Sequence, residues 1–181
     1  MTPTVVITTR GDVDLAPALS GIPDGWPVVV WNNAERGDDL KVYGYFAALD
    51  EVETEYAYTQ ADDAICPAGE LLERWSEDEH GDRILLNVAD GDTPWVSFGA
   101  LFRKDLPRAA LTRYMDAYHD GHLHDDVLKW CEVIVCELTP WVNVDLGKQD
   151  LPHQANRNRM EHQPDHYAEQ ARIREKARAL A

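Results

Sequence analysis

One pattern met three times within the first 63 residues restricts this chain more than any other feature. Thr4-Val5-Val6-Ile7-Thr8-Thr9, Pro27-Val28-Val29-Val30-Trp31 and Tyr56-Ala57-Tyr58-Thr59 are short runs rich in β-branched and aromatic residues, too short for helices, and read as buried strands. Each opens into a polar cluster: Thr8-Thr9-Arg10, Asn32-Asn33 and Asp62-Asp63. Between the runs, Asp14 to Ser20 and Tyr43 to Val52 carry helical signals. Strand alternating with helix predicts an α/β fold, a three-layer sandwich around a mostly parallel central sheet. Further strands are expected at Arg83–Val88, Trp95–Phe98 and Val133–Val135. Helices are expected after Pro67, over Ala109–Tyr118 up to Gly121, from Asp125-Asp126, and over 165–180. One domain spans 1–181, with a polar, more basic segment from about 153.

The 33 acidic and 17 basic side chains give a formal charge of −16. A generic polyanion binder is disfavoured, because phosphate contacts need Lys and Arg. The charge is uneven: residues 1–152 hold 29 acids and 11 bases, whereas residues 153–181 hold 4 and 6. One reading is a local basic surface on an acidic body, built from 103–113 and 157–178; the alternative is that Arg172, Arg174, Lys176 and Arg178 only solubilise a terminal helix. No apolar run is long enough to span a membrane, and none is expected to bind one. Cys66, Cys131 and Cys136 cannot all pair and form no CxxC; they read as reduced packing residues of a cytoplasmic protein.

Ligands of open α/β sheets bind outside the carboxyl ends of the strands, where the three polar clusters fall. They offer hydroxyls and a guanidinium for phosphate, amides for a base edge, and carboxylates for a hard divalent cation. Neither the dinucleotide glycine pattern nor a GKS/T loop follows the first strand, which leaves a metal-bridged nucleotide as the better fit. Asp62-Asp63 stands out, since adjacent carboxylates at a strand mouth repel unless a cation or hydrogen bonds compensate; the alternative is that they cap the helix near Pro67. His119, His122 and His124 with Asp125-Asp126 form a separate cluster with the donors of a hydrolytic metal site, or an exposed polar turn.

Tyr58-Thr59-Gln60-Ala61-Asp62-Asp63-Ala64-Ile65 resembles the strand and acidic DXD element of GT-A fold nucleotide-sugar glycosyltransferases. The other elements follow in the matching order: Val5 to Arg10, Val28 to Asn33, then Val42-Tyr43-Gly44-Tyr45-Phe46-Ala47-Ala48. Trp95-Val96-Ser97-Phe98-Gly99-Ala100-Leu101-Phe102 resembles the glycine-bearing acceptor loop, Asp125-Asp126 the acidic pair opening the catalytic helix, and His166 the C-terminal metal-binding histidine. Within that fold the chain is most similar to the small phage enzymes related to the base J glucosyltransferase. It departs from them at Ala61, where a third acid is common.

The resemblance implies an inverting glycosyl transfer: a sugar moves from a nucleotide sugar, a UDP-sugar foremost, to a hydroxyl of a 5-hydroxymethylpyrimidine in phage DNA. Alternatives are transfer to a small molecule or glycan, and an inactive nucleotide-binding module. It implies Mn²⁺ or Mg²⁺ held by Asp63 and His166, and donor contacts from Thr8, Thr9, Arg10, Asn32, Asn33, Tyr43, Gly44 and Asp62. Asp125 or Asp126 would be the catalytic base. Trp95, Gly99, Arg103 and Lys104 would face the acceptor. The location implied is the host cytoplasm if the chain is phage-encoded.

Overall fold

A computed structural model of the protein describes residues 1–37, 39–90, 93–152 and 164–181. The elements in chain order are β1 (Thr4–Thr9), α1 (Ala16–Leu19), β2 (Val28–Asn32), α2 (Asn33–Arg36), α3 (Gly44–Ala47), β3 (Tyr56–Ala61), β4 (Ala64–Ile65), α4 (Ala68–Glu73) and α5 (Glu77–His80). Then come β5 (Ile84–Leu86), β6 (Ala89–Asp90), β7 (Thr93–Pro94), β8 (Phe98–Arg103), α6 (Asp105–Tyr118), α7 (Asp125–Leu138), β9 (Trp141–Asn143), β10 (Gln149–Asp150) and α8 (His166–Arg178). Short 3₁₀ turns at Lys41–Tyr43 and Ala48–Asp50 flank α3.

Six strands form the central sheet in the order β2-β1-β3-β8-β5-β9. β1 pairs in parallel with β2 and β3, β5 with β9, and β8 runs against both of its neighbours. Five strands thus share one direction, as the alternating sequence demands. The period of two along each strand builds two cores. Val6, Ala57, Ile84, Leu86, Ala100 and Phe102 face the layer of α3, α6, α7 and α8. Val5, Ile7, Tyr58, Leu85 and Leu101 face the opposite layer, with Ala68 and Leu71 of α4 and Leu19 of α1. Each fully buried Leu or Ile here stabilises the fold by about 1.5–3 kcal/mol.

Two expected elements differ. Val133–Val135, expected as a strand, lies within α7, whose apolar side packs into the first core. The strand expected at Trp95–Phe98 begins at Phe98 and runs on to Arg103. In addition, β9 follows Pro140 as an edge strand with no sequence signal of its own. The connection from β1 to β2 leaves on one side of β1 and β3 lies on the other, so the sheet has a switch point at β1. Among the described residues no helix is long and apolar enough to cross a membrane.

Candidate functional site at the carboxyl edge of the sheet

Sheet direction brings the mouths of β1, β2, β3, β5 and β9 to one edge, together with the start of the reversed β8. At the β1 mouth, Thr9 is buried and its Oγ1 accepts the Gly11 N–H at 3.1 Å, which shapes the turn carrying exposed Arg10. Thr8 Oγ1 is buried with no hydrogen-bond partner among the described residues. Gly44 lies so close that a Cβ there would stand 2.9 Å from Thr8 Cγ2 and 2.6 Å from Trp31 Cδ1, so it is a packing glycine that seats α3 over β1 and β2.

At β2, Asn32 caps α2 by accepting the Ala34 N–H at 3.0 Å. Asn33 is committed to the loop that follows: its Oδ1 accepts from Trp31 Nε1 at 3.0 Å and Leu40 N at 3.2 Å, and its Nδ2 donates to Lys41 O. Tyr43 sits half-buried beneath α6 with Phe46, Asp50, Arg108 and Met115 around a small cavity. Burial pushes its phenol up, and the charged neighbours that act on it are Asp50 and Arg108.

Asp62 and Asp63 form the turn between β3 and β4. They do not cap α4, which starts five residues beyond Asp63 with Pro67 at its N-cap. Asp63 is 1% exposed and Asp62 half-buried. The turn is held from both sides. Leu151 N donates to Asp63 O at 2.8 Å, extending the antiparallel pairing of β10 with β4. Fully buried Gln60 donates from Nε2 to Ala18 O at 2.6 Å and Ala64 O at 3.1 Å.

The loop before β8 closes the edge. Gly99 has φ +91°, and a Cβ there would lie 2.9 Å from Asn87 Cβ, so only glycine fits. Trp95 is half-buried, its ring 6.0 Å from that of Phe98. Ser97 is the junction: its carbonyl accepts the Ala61 N–H at 2.6 Å, immediately before Asp62, and its own N–H donates to Glu132 Oε1 at 2.6 Å. Glu132 follows a break in α7, where Trp130 leaves helical geometry (φ −121°, ψ 16°). Burial pushes the Glu132 carboxyl up to about 7, against the downward pull of the Ser97 amide. Sequence reasoning missed this residue; the available signal was a lone acid in the apolar run Trp130 to Cys136.

His166 opens α8 and is buried, its ring 4.7 Å from that of Trp130. Its Nδ1 is buried with no hydrogen-bond partner among the described residues.

The two aspartates that open α7 separate in role. Asp125 is exposed and pairs with Lys41 at 3.1 Å and Lys129 at 3.7 Å; the Lys41 hydrogen bond holds its carboxyl low. Asp126 is buried and takes Arg172 at 2.9 Å and Lys176 at 3.2 Å, both from α8. Burial raises its carboxyl, but those two cations outweigh it and leave it below the ordinary value of 3.8. His119 and His124 stack beside it, ring centroids 4.2 Å apart. These three residues could supply metal donors. Arg172 and Lys176 already neutralise the carboxylate, however, and His124 Nδ1 accepts the Asp126 N–H, so the cluster serves as a helix clamp.

Asp126→Asn should therefore loosen α8 and lower unfolding free energy by about 1–3 kcal/mol, less than a fully buried pair because Arg172 is half exposed. The wild-type contribution is present at neutral pH and is lost as pH falls through the depressed carboxyl value. Urea unfolding at pH 7 and at pH 3 checks both the size and the sign.

The expected acceptor cations do not join this edge. β8 is antiparallel, so Arg103 pairs with Tyr56 at the start of β3, about 17 Å along the strand from Ala61. Arg103 is bound to Asp105, Lys104 donates to Val52 O at 2.6 Å, and Arg108 pairs with Asp50. Arg113 reaches Leu180 O, so the segment 103–113 meets the C-terminal helix away from the acidic turn. In that helix Arg174 and Arg178 share Glu137. Arg157 and Arg159 lie outside the described residues. The sequence matches no protein-family model and no curated protein.

Proposed function

We propose that this carboxyl edge transfers a sugar from a metal-bound nucleotide sugar to a hydroxyl acceptor. The observation that carries the reading is the Ser97 junction, which ties the strand ending in Asp62-Asp63 to a carboxyl poised near neutrality. An inverting transfer needs that pairing: charge stabilisation for the departing diphosphate on one side and a proton acceptor on the other.

Glu132 would take the acceptor hydroxyl's proton as its oxygen bonds to the anomeric carbon and the carbon–oxygen bond to the diphosphate breaks. A carboxyl near 7 suits that task better than a carboxylate fixed in an ion pair, which favours Glu132 over Asp125 and Asp126. Asp63 and Asp62 supply hard oxygen donors suited to Mn²⁺ or Mg²⁺, and the open Nδ1 of His166 is a further candidate donor. When bound, the ion supplies positive charge against the diphosphate oxygens. Thr8 Oγ1 and Arg10 would face nucleotide or phosphate, and Asn32 a base edge.

The acceptor implied by the resemblance is a 5-hydroxymethylpyrimidine in DNA, its base flipped towards Trp95. A second reading, a small hydroxyl compound or free nucleotide, is favoured by one observation: Arg103, Lys104 and Arg108 lie at the far edge with local partners. Labelled sugar from a panel of UDP-sugars, offered to a hydroxymethylated duplex and to the free hydroxymethylated nucleoside, separates the two. Transfer to the duplex supports DNA, transfer only to the nucleoside supports the second reading, and release of nucleoside diphosphate with neither points to another acceptor.

A further inference from the structure

Lys148 is a charged side chain at the same edge to which the proposed chemistry gives no role. Its side chain is 19% exposed, its ammonium stands 4.3 Å from the centroid of the Phe98 ring, and it pairs with Asp150. Burying an ammonium is costly, and a single carboxylate and a ring face are modest compensation. Burial accordingly pulls the amine below its ordinary value.

The backbone that presents this lysine is stitched to two strands. Val144 N donates to Leu86 O at 3.0 Å, Leu146 N to Asn87 O at 3.2 Å, and Gly147 O accepts from Asn87 Nδ2 at 2.7 Å. Gly147 turns the chain with φ +79°, and β10 then pairs with β4 directly beside the acidic turn. Register places Lys148 one position before Gln149, which opposes Ile65, and Leu151 bonds Asp63. Lys148 is thus clamped between the Asp62-Asp63 turn and the loop that carries Trp95 to Gly99. An ordinary solvating lysine needs no such scaffold.

We infer that Lys148 is an anion-binding residue of this edge, its ammonium taking a phosphate oxygen of the donor's diphosphate. The assignment to a diphosphate rests on the donor-site reading given above; the anion site itself does not. Asp150 acts as the internal counter-ion that an incoming phosphate displaces in part.

Calorimetry with inorganic pyrophosphate, at low salt and without metal, tests it on the full chain. Wild type should bind, Lys148→Met should bind about tenfold more weakly or worse, and Lys148→Arg should stay within about threefold of wild type. Asp150→Asn, which removes the competing carboxylate, should bind more tightly. Pyrophosphate should also protect Lys148 of the wild-type protein from amine acylation read by mass spectrometry, a measurement that needs no variant to fold. Equal binding by folded Lys148→Met, or no protection of the wild-type lysine, overturns the inference. If these results hold but no nucleotide sugar is turned over, the donor-site reading fails and the anion site stands. If sugar transfer occurs and Lys148→Met binds pyrophosphate normally, this inference alone fails.

Discussion

Glu132→Gln should lower sugar transfer by about a thousandfold while leaving nucleotide binding within about twofold, since general-base catalysis is worth about 10²–10⁴. Glutamine keeps the shape and can still accept the Ser97 N–H, so the junction with β3 persists and only the proton acceptor is lost. The wild-type rate should follow the ionised carboxylate. It should be high above a midpoint near 7, the value to which burial pushes the carboxyl, and should fall as pH drops through it. In Glu132→Gln that acid limb should vanish. Stopped-assay rates from pH 5.5 to 8.5, paired with calorimetry of UDP, read both quantities. A variant that keeps near-normal turnover returns the base to Asp125, the exposed carboxylate on the same helix.

Asp63→Asn should abolish the gain in UDP affinity that Mn²⁺ confers. A buried carboxylate at a strand mouth is a first-rank oxygen donor, and its amide isostere carries no charge. Even groups that only orient metal ligands are worth about 10–100-fold in affinity, so loss of a direct ligand should cost at least about hundredfold. Calorimetry of UDP with and without Mn²⁺ reads this directly, and a thermal melt confirms that the variant is folded. Unchanged metal dependence in folded protein would reduce Asp63 to a structural role in the β3–β4 turn.

The first three strands were legible because β-branched and aromatic runs suit a sheet and each ends in polar residues at one edge. β1 and β3 are buried as expected, whereas β2 is the sheet's edge strand and stays half-buried, with Val28 exposed. Trp130 to Cys136 was not, because a short apolar run carries no period of its own and packing under α6 and α8 makes it helix. Glu132 was invisible for a related reason, since its partner Ser97 is 35 residues away and meets it only once α7 crosses the sheet edge. Arg103 and Lys104 follow the acceptor loop in sequence, but strand direction is not written locally. The reversal of β8 carries them to the opposite edge. In sequence Asp126 looks as good a candidate base as Asp125; only the fold brings Arg172 and Lys176 onto it.

A crystal structure of the protein soaked with UDP and Mn²⁺ tests donor binding at this edge most directly. The diphosphate and ion are predicted at the carboxyl edge, with the ion on Asp63 and the nucleotide along Thr8 to Arg10 and Asn32. Nucleotide bound at another surface, or an edge that stays empty at saturating UDP and Mn²⁺, would rule out a donor site here.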